Sequence, residues 1–320
     1  MISRRKLLLS LAALAASPGI KAQQGKPLKI IVPFPAGGGT DVLARIVGEK
    51  LRGGYAGTVI VENRVGASGR TGVEAVKSSE PDTLLFIPDF LFTVYPHSFR
   101  KLSYDPVADF APVAIVARAG LALCAGPGLP ESIKTTSQYL DWVRSNPKGA
   151  FYGTTAAGGT PHFVGVMLAR DSGVALSPVH YKGGAPALQD LIAGQIPVSV
   201  NPIGEVLPYL KSGRLRVLAT TGETRSKFLP EVPTLAETWP QIVAAPWLAF
   251  FAPAKAPADG VSRLSAAIAE GVKAPETTAS FEKFGYDVVT TTPAATAATL
   301  KADLARWQPI VKASGFTAED

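Results

Sequence analysis

Residues 29–45 read "KIIVPFPAGGGTDVLAR". A hydrophobic run from Ile30 to Val32 meets Pro33 and Pro35, then three consecutive glycines, Thr40, Asp41 and an apolar segment with helical spacing. The order is strand, glycine loop, helix start. Such a junction offers unpaired backbone N–H groups and the positive end of a helix dipole. It suits a phosphate, a carboxylate or nothing more than a tight turn.

The same pattern recurs in "AFYGTTAAGGTPHFVGVMLAR" and in "VHYKGGAPALQDLIAG". Several such starts converging on one cleft would form an anion site, although every αβ fold with parallel strands needs such turns. Outward from these junctions, short β-like runs alternate with longer helix-like runs. "LKIIVPF", "TVIVENR", "TLLFIP", "PVAIVA", "LALCAG", "AFYGT", "SPVHY", "PVSVN" and "LRVLATT" read as strands. "TDVLARIVGEKLRG", "TGVEAVKSS", "SQYLDWVRSN", "HFVGVMLARDSG", "APALQDLIAG" and "EVLPYLKSG" read as helices, several closed by glycine. The C-terminal "SRLSAAIAEGVKA" and "AATAATLKADLARWQPIVKAS" read as further helices. The alternation predicts an α/β architecture with largely parallel sheets.

The 320 residues suffice for two domains, and 47% hydrophobic against 18% charged residues gives a substantial core. The formal charge of +7 is partly local. Arg4, Arg5, Lys6 and Lys21 lie in the first 22 residues, which hold no acid, and without them the balance is +3. That is too little to argue for nucleic acid, and no basic cluster is interleaved with aromatics. The start, "MISRRKLLLSLAALAASPGIKAQQ", has a basic n-region, an apolar stretch from Leu7 to Ala16 and small residues up to Ala22. It predicts a signal peptide over 1–22, cleaved near Ala22, and hence an exported protein. "SRRKLLL" also resembles a twin-arginine signal, and a simple basic n-region is preferred. Cys124 is the sole cysteine, expected to be a buried strand residue.

Enzyme motifs do not fit. After Gly37 and Gly39, the third position of a dinucleotide fingerprint is Val42. In "GASGRTG" a nucleophile elbow would need glycine where Arg70 stands. His97, His162 and His180 lack zinc spacing. A triad assembled from distant residues stays open, and with it an exported α/β hydrolase or transferase. A protein-interaction module without a small ligand is a third reading.

"PFPAGGGTDVLAR", "VENRVGASGRTGVEAV", "LSYDPVADFAPVA", "VHYKGGAPALQDLIAGQ" and "GRLRVLATTGETRSKFLPEVPTLAE" together resemble the Bug family, the periplasmic solute receptors of tripartite tricarboxylate transporters. The resemblance runs from Lys29 to the C-terminus. It implies a type II periplasmic-binding-protein fold: two α/β domains, a ligand cleft and two crossover segments, placed at 113–126 and 243–254. Domain 1 is expected over 27–122 plus 247–320, and domain 2 over 123–246. The implied protein is a monomer without catalysis, cofactor or metal. It binds a small organic carboxylate, such as a dicarboxylate, amino acid or aromatic acid, for membrane transporter subunits or a sensor.

The resemblance also implies the contacts. The backbone of Ala36, Gly37 and Gly38 approaches the ligand, Phe34 lines the cleft, and Asp41 caps the helix. From the facing loop come Thr154, Thr155, Thr160 and His162, with helix capping or packing an equal expectation for the histidine. Ala156 and Gly159 depart from the family pattern there, and Thr160 supplies a hydroxyl one place late. Gly183 presents an N–H, and Asn201 an amide compatible with an anion. Asp89, in "FIPDFLFTVYP", would pair with a ligand amino group if it faces the cleft, and says nothing if it faces water. The water-facing reading is preferred. Phe90 is expected in the core, and Trp247 on the hinge or the ligand.

Overall fold

The opening stretch begins with β1 (Leu28–Val32), four of whose five side chains are buried. Burial on both faces marks a strand inside a sheet covered by helices on both sides. The computed structural model describes residues 26–318, so the expected signal peptide lies outside the described residues. Among the described residues, no helix is long and apolar enough to cross a membrane.

The first sheet also takes β2 (Val59–Asn63), β3 (Thr83–Pro88), β4 (Phe110–Arg118), β10 (Trp247–Pro253) and β11 (Asp287–Val288). Its order is β11-β4-β10-β3-β1-β2. The second sheet holds β5 (Leu121–Ala125), β6 (Phe151–Thr154), β7 (Ser177–His180), β8 (Val198–Pro202) and β9 (Arg216–Thr220), in the order β7-β6-β8-β5-β9. The chain leaves the first sheet after Arg118 and enters the second at Leu121, then returns between Thr220 and Trp247.

Both sheets are mixed, not largely parallel. β10 runs antiparallel to β3 and β4, and β5 runs antiparallel to β8 and β9. The reason is topological. Strands such as β1 and β3, or β6 and β8, run with helix-connected crossovers toward one seam between the sheets. A strand entering a sheet directly from the other one starts at that seam and runs away from it. The seam therefore collects the C-terminal ends of regular strands and the N-terminal ends of β5 and β10. Crevices outside the carboxyl ends of strands are where open α/β sheets bind ligands. Trp247–Pro253, expected as part of a crossover, is itself a strand buried along its whole length.

Eight of the eleven α-helices among the described residues lie where the sequence places them; the two short ones after β3 and the one over 275–283 are not expected from it. α1 (Gly39–Leu51), α2 (Arg70–Lys77) and two short helices, α3 (Phe90–Thr93) and α4 (Tyr95–Ser98), belong to the first half. Next come α5 (Thr136–Ser145), α6 (Thr160–Ser172), α7 (Gly184–Ile192) and α8 (Ile203–Leu210). α9 (Ala258–Lys273), α10 (Pro275–Lys283) and α11 (Pro293–Ser314) close the chain. α5 starts in a reciprocal capping box between Thr135 and Gln138, and Gly173 ends α6 in the left-handed conformation. Cys124 is buried in β5, and burial raises its thiol pKa.

α11 belongs to both halves. Leu300 packs with Phe92, Trp247 and Phe251 of the first sheet's core, whereas Trp307 and Val311 pack with Phe163 and Met167 of the second. The end of the chain thus leans on the second sheet.

Candidate functional site

At the seam lies a cavity of about 90 Å³. Asp89 and Phe90, past the end of β3, form one wall; Thr155 and Thr160, between β6 and the first turn of α6, form the facing one. The two crossings supply Leu121 and Trp247, and Tyr286 closes a side. Larger hollows of about 690 and 350 Å³ lie elsewhere, and neither is lined by strand ends of both sheets.

The crossings are bonded to each other beside this cavity. Ala119 N–H donates to Pro246 O at 2.9 Å, and Ala244 N–H to Thr221 O at 2.7 Å. Thr221 Oγ1 donates to Ala244 O at 2.6 Å while accepting the Leu121 N–H at 3.0 Å. Arg118 Nη1 reaches Ala245 O at 3.5 Å, and Arg306 Nη1 reaches Val243 O at 2.8 Å.

Asp89 does not face water; it is only 2% exposed and lines the cavity. Its N–H donates to Trp247 O at 2.9 Å, which fixes β3 against β10 at that point. Its carboxyl Oδ1 has no hydrogen-bond partner. Burial pushes the Asp89 carboxyl up to about 8, and the charge of Asp303 adds to this. Arg306, the Phe90 N–H and Arg118 offset it only in part. Asp303 is held by the Trp247 indole, whose Nε1 donates to it at 2.8 Å.

The three glycine junctions have different fates. In the first, Gly37 takes a φ of +83°, and its N–H donates to Asp41 Oδ2 at 2.8 Å. Asp41 does not cap from the N-cap position, which is Gly38; it reaches back from the first turn. It also accepts from Arg45 Nε at 3.1 Å and from Asn63 Nδ2 at 2.9 Å. Burial raises the Asp41 pKa, but these hydrogen bonds outweigh it and leave the carboxyl below its usual range. Ala36, Gly37 and Gly38 are exposed and do not line the cavity. Phe34 stands one layer behind it, its ring 6.4 Å from that of Phe90.

In the third junction, Gly183 has a φ of +108°, and its N–H donates to Thr155 O at 2.9 Å. The next residue, Gly184, leaves room for another side chain: an added Cβ would fall 1.5 Å from Glu205 Oε2. The Glu205 carboxyl therefore packs against the start of α7, and burial raises its pKa.

The middle junction differs. Thr154 is buried and turned into its own loop, Oγ1 donating to Ala156 O at 3.1 Å. Thr155 and Thr160 line the cavity, and Thr160 Oγ1 is buried without a partner. His162 lies on the other side of the loop. Its Nδ1 accepts the Gly158 N–H at 3.2 Å, and its ring packs among Phe163, His180 and Phe316. Burial, with His180 beside it, lowers the His162 pKa to about 4, so the ring is neutral at pH 7. Asn201, in β8 next to the cavity-lining Pro202, donates from Nδ2 to Ser199 Oγ at 2.8 Å, and its Oδ1 lacks a partner.

The structure thus brings Asp89, Thr155 and Thr160 together on one cavity. Phe34, Ala36, Gly37, Gly38, Thr154, His162, Gly183 and Asn201 do not line it. Sequence reasoning missed Tyr286, Arg118 and Arg306, none of which falls in a motif. Among the described residues, no group of three His, Cys, Asp or Glu side chains is placed to hold a metal.

A family model described as "Tripartite tricarboxylate transporter family receptor" matches residues 43–316. The chain belongs to the tripartite tricarboxylate transporter receptor family. Protein BugT of Bordetella pertussis (strain Tohama I) is 29% identical over 313 residues, covering 97% of this receptor and 95% of BugT. The R. palustris protein Rpa4515, solved with adipate, is 29% identical with a TM-score of 0.82, over 91% of this receptor and 98% of that chain. MatC (Rpa3494) from Rhodopseudomonas palustris, solved with bound malate, is 26% identical with a TM-score of 0.78, over 89% and 98%. The receptor is a solute-binding protein of this class and not an enzyme.

Proposed function

We propose that this receptor captures a small organic carboxylate in the seam between its two sheets and delivers it to membrane transporter subunits or to a sensor. The observation that carries the reading is the cavity itself, lined from both sheets and from both crossings. Related receptors hold adipate and malate. A ligand touching both walls favours the closed arrangement by its differential affinity for it.

The two lobes of the proposal are 27–122 with 247–320, and 123–246. The first boundary is moved back to residues 119–120, so that β5 stays whole. The direct contacts fall to Asp89, Thr155 and Thr160, with Phe34 and Asn201 as outer walls. The loop of Ala36, Gly37 and Gly38, together with Thr154, His162 and Gly183, shapes the rim. Export to the periplasm as a monomer, after removal of the leader near Ala22, completes the reading.

Thermal melts of the mature protein against mono-, di- and tricarboxylates and amino acids test it. A binding acid raises Tm by mass action, by about 2.7 kcal/mol of stability at one hundred times Kd. Folded protein that responds to no member of the panel would refute capture of a small acid.

A further inference from the structure

We propose that Asp89 makes this receptor selective for carboxylates that also carry a protonated amino group, so that it takes amino acids in preference to plain di- or tricarboxylates. The inference rests on the receptor reading above and names the ligand class of the same cavity.

Three observations carry it. First, Asp89 lines the cavity, is almost wholly buried, and has a carboxyl oxygen without a partner. A buried polar atom left unpaired is costly unless something supplies its bond. Second, no arginine, lysine or histidine lines the cavity among the described residues; its other polar groups, on Thr155, Thr160, Trp247 and Tyr286, are neutral. The nearby guanidiniums of Arg118 and Arg306 are bonded to the carbonyls of Ala245 and Val243, and Asp303 lies 3.4 Å from Arg306. A plain dicarboxylate placed here would meet no cation. Third, the opposite wall is the start of α6. At the start of α1 the Asp41 carboxylate accepts a backbone N–H, and at the start of α7 the Glu205 carboxyl packs close, whereas the Thr160 hydroxyl at the start of α6 is unpartnered. The cavity therefore has an acidic wall and a hydrogen-bonding wall at a helix N-terminus. A zwitterion matches both, its ammonium on Asp89 and its carboxylate toward Thr160.

The groups facing Asp89 set the proton traffic. Asp303 and Arg306 face it from α11, Arg118 from β4, the Phe90 N–H from α3, and Tyr286 from the turn before β11. Together with burial they leave the empty site protonated near neutrality. Pairing with a ligand ammonium requires the carboxylate, so the Asp89 proton passes to the buffer as the ion pair forms.

Isothermal titration calorimetry with matched acids tests this: propionate and β-alanine, succinate and aspartate, glutarate and glutamate. At least one amino-bearing member should bind tenfold or more tightly than its partner. Its heat at pH 6.5 should vary with buffer ionisation enthalpy, by close to one proton released. Asp89→Asn should cut that ratio at least tenfold and abolish the proton release. Ratios near one, or plain acids favoured, would overturn the inference and leave the receptor standing. An Asp89→Asn variant with an unchanged ratio would do the same. Binding of neither series, in this and a wider panel, would remove the receptor reading and this inference with it. Should Asp89→Asn fail to fold, the wild-type ratio and buffer dependence decide.

Discussion

Thr221 and Leu121 bond each other twice: Thr221 N–H donates to Leu121 O at 3.0 Å, and Leu121 N–H donates to Thr221 Oγ1 at 3.0 Å. Leu121 opens the first strand after one crossing, and Thr221 follows the last strand before the other. The pair ties the two connections at the point about which the sheets would turn.

Thr221→Val keeps the shape and removes the hydroxyl. It leaves the Leu121 N–H and the Ala244 carbonyl without that side-chain partner in a buried place. The expected loss is about 1–3 kcal/mol in urea unfolding. Thr221→Ser should restore most of it, and a valine variant as stable as wild type would show that the double bond matters little.

The Asp89 carboxyl gives a pH dependence of definite sign. Its folded pKa is raised, so the folded protein holds a proton that the unfolded chain releases. Its contribution to stability is then fully present below the ordinary carboxylate range and is lost as pH rises toward about 8. Asp89→Asn removes that slope. Its Tm should match wild type near pH 4.5 and exceed it by several degrees near pH 8, both without ligand.

Asp41 has the opposite sign. Its carboxyl is held below its usual range, so its contribution is present above the unfolded value and disappears as pH falls through the folded one. Asp41→Ala takes away the acceptor of the Gly37 N–H, leaves Asn63 Nδ2 with Phe34 O alone and breaks the Arg45 pair. A loss of about 2 kcal/mol at pH 7 is expected from charge-assisted hydrogen bonds, shrinking toward pH 3. Equal losses at both pH values would contradict this account.

Gly204 probes the approach of the two halves. A Cβ there would lie 1.8 Å from Phe284 O, across from the start of α8. Gly204→Ala should therefore oppose closure while leaving each half intact. Ligand affinity should drop about tenfold, with little change in the ligand-free Tm. A variant that binds as wild type would mean that this contact yields easily.

Much of the fold is legible in the sequence. β1 through β9 each coincide with a hydrophobic run that glycine or proline punctuates, and α1, α6 and α7 each follow a small-residue loop. β10 is not legible as a strand, because "WLAFFAP" is apolar throughout and has no alternation to mark a face. β11 has two residues, too few for any period, and α10 carries its apolar face on little more than Phe281. The site was legible by loop and not by atom. Nothing local tells that the N–H of Gly37 turns back to Asp41, or that Glu205 comes to rest on Gly184. Asp89 is the clearest case: its burial depends on Trp247, Asp303 and Tyr286, all remote in the chain.

α11 packs Leu300 into one half and Trp307 into the other, with Pro309 inside its last turns. The two halves are thus joined by two strands of chain and by a strut. Any opening has to twist about this strut, bend it near the proline, or slide Trp307 out of its socket. The amplitude of opening is therefore set at the C-terminus as well as at the crossings. A reporter group placed on the exposed side of α11 should respond to ligand although it points away from the cavity.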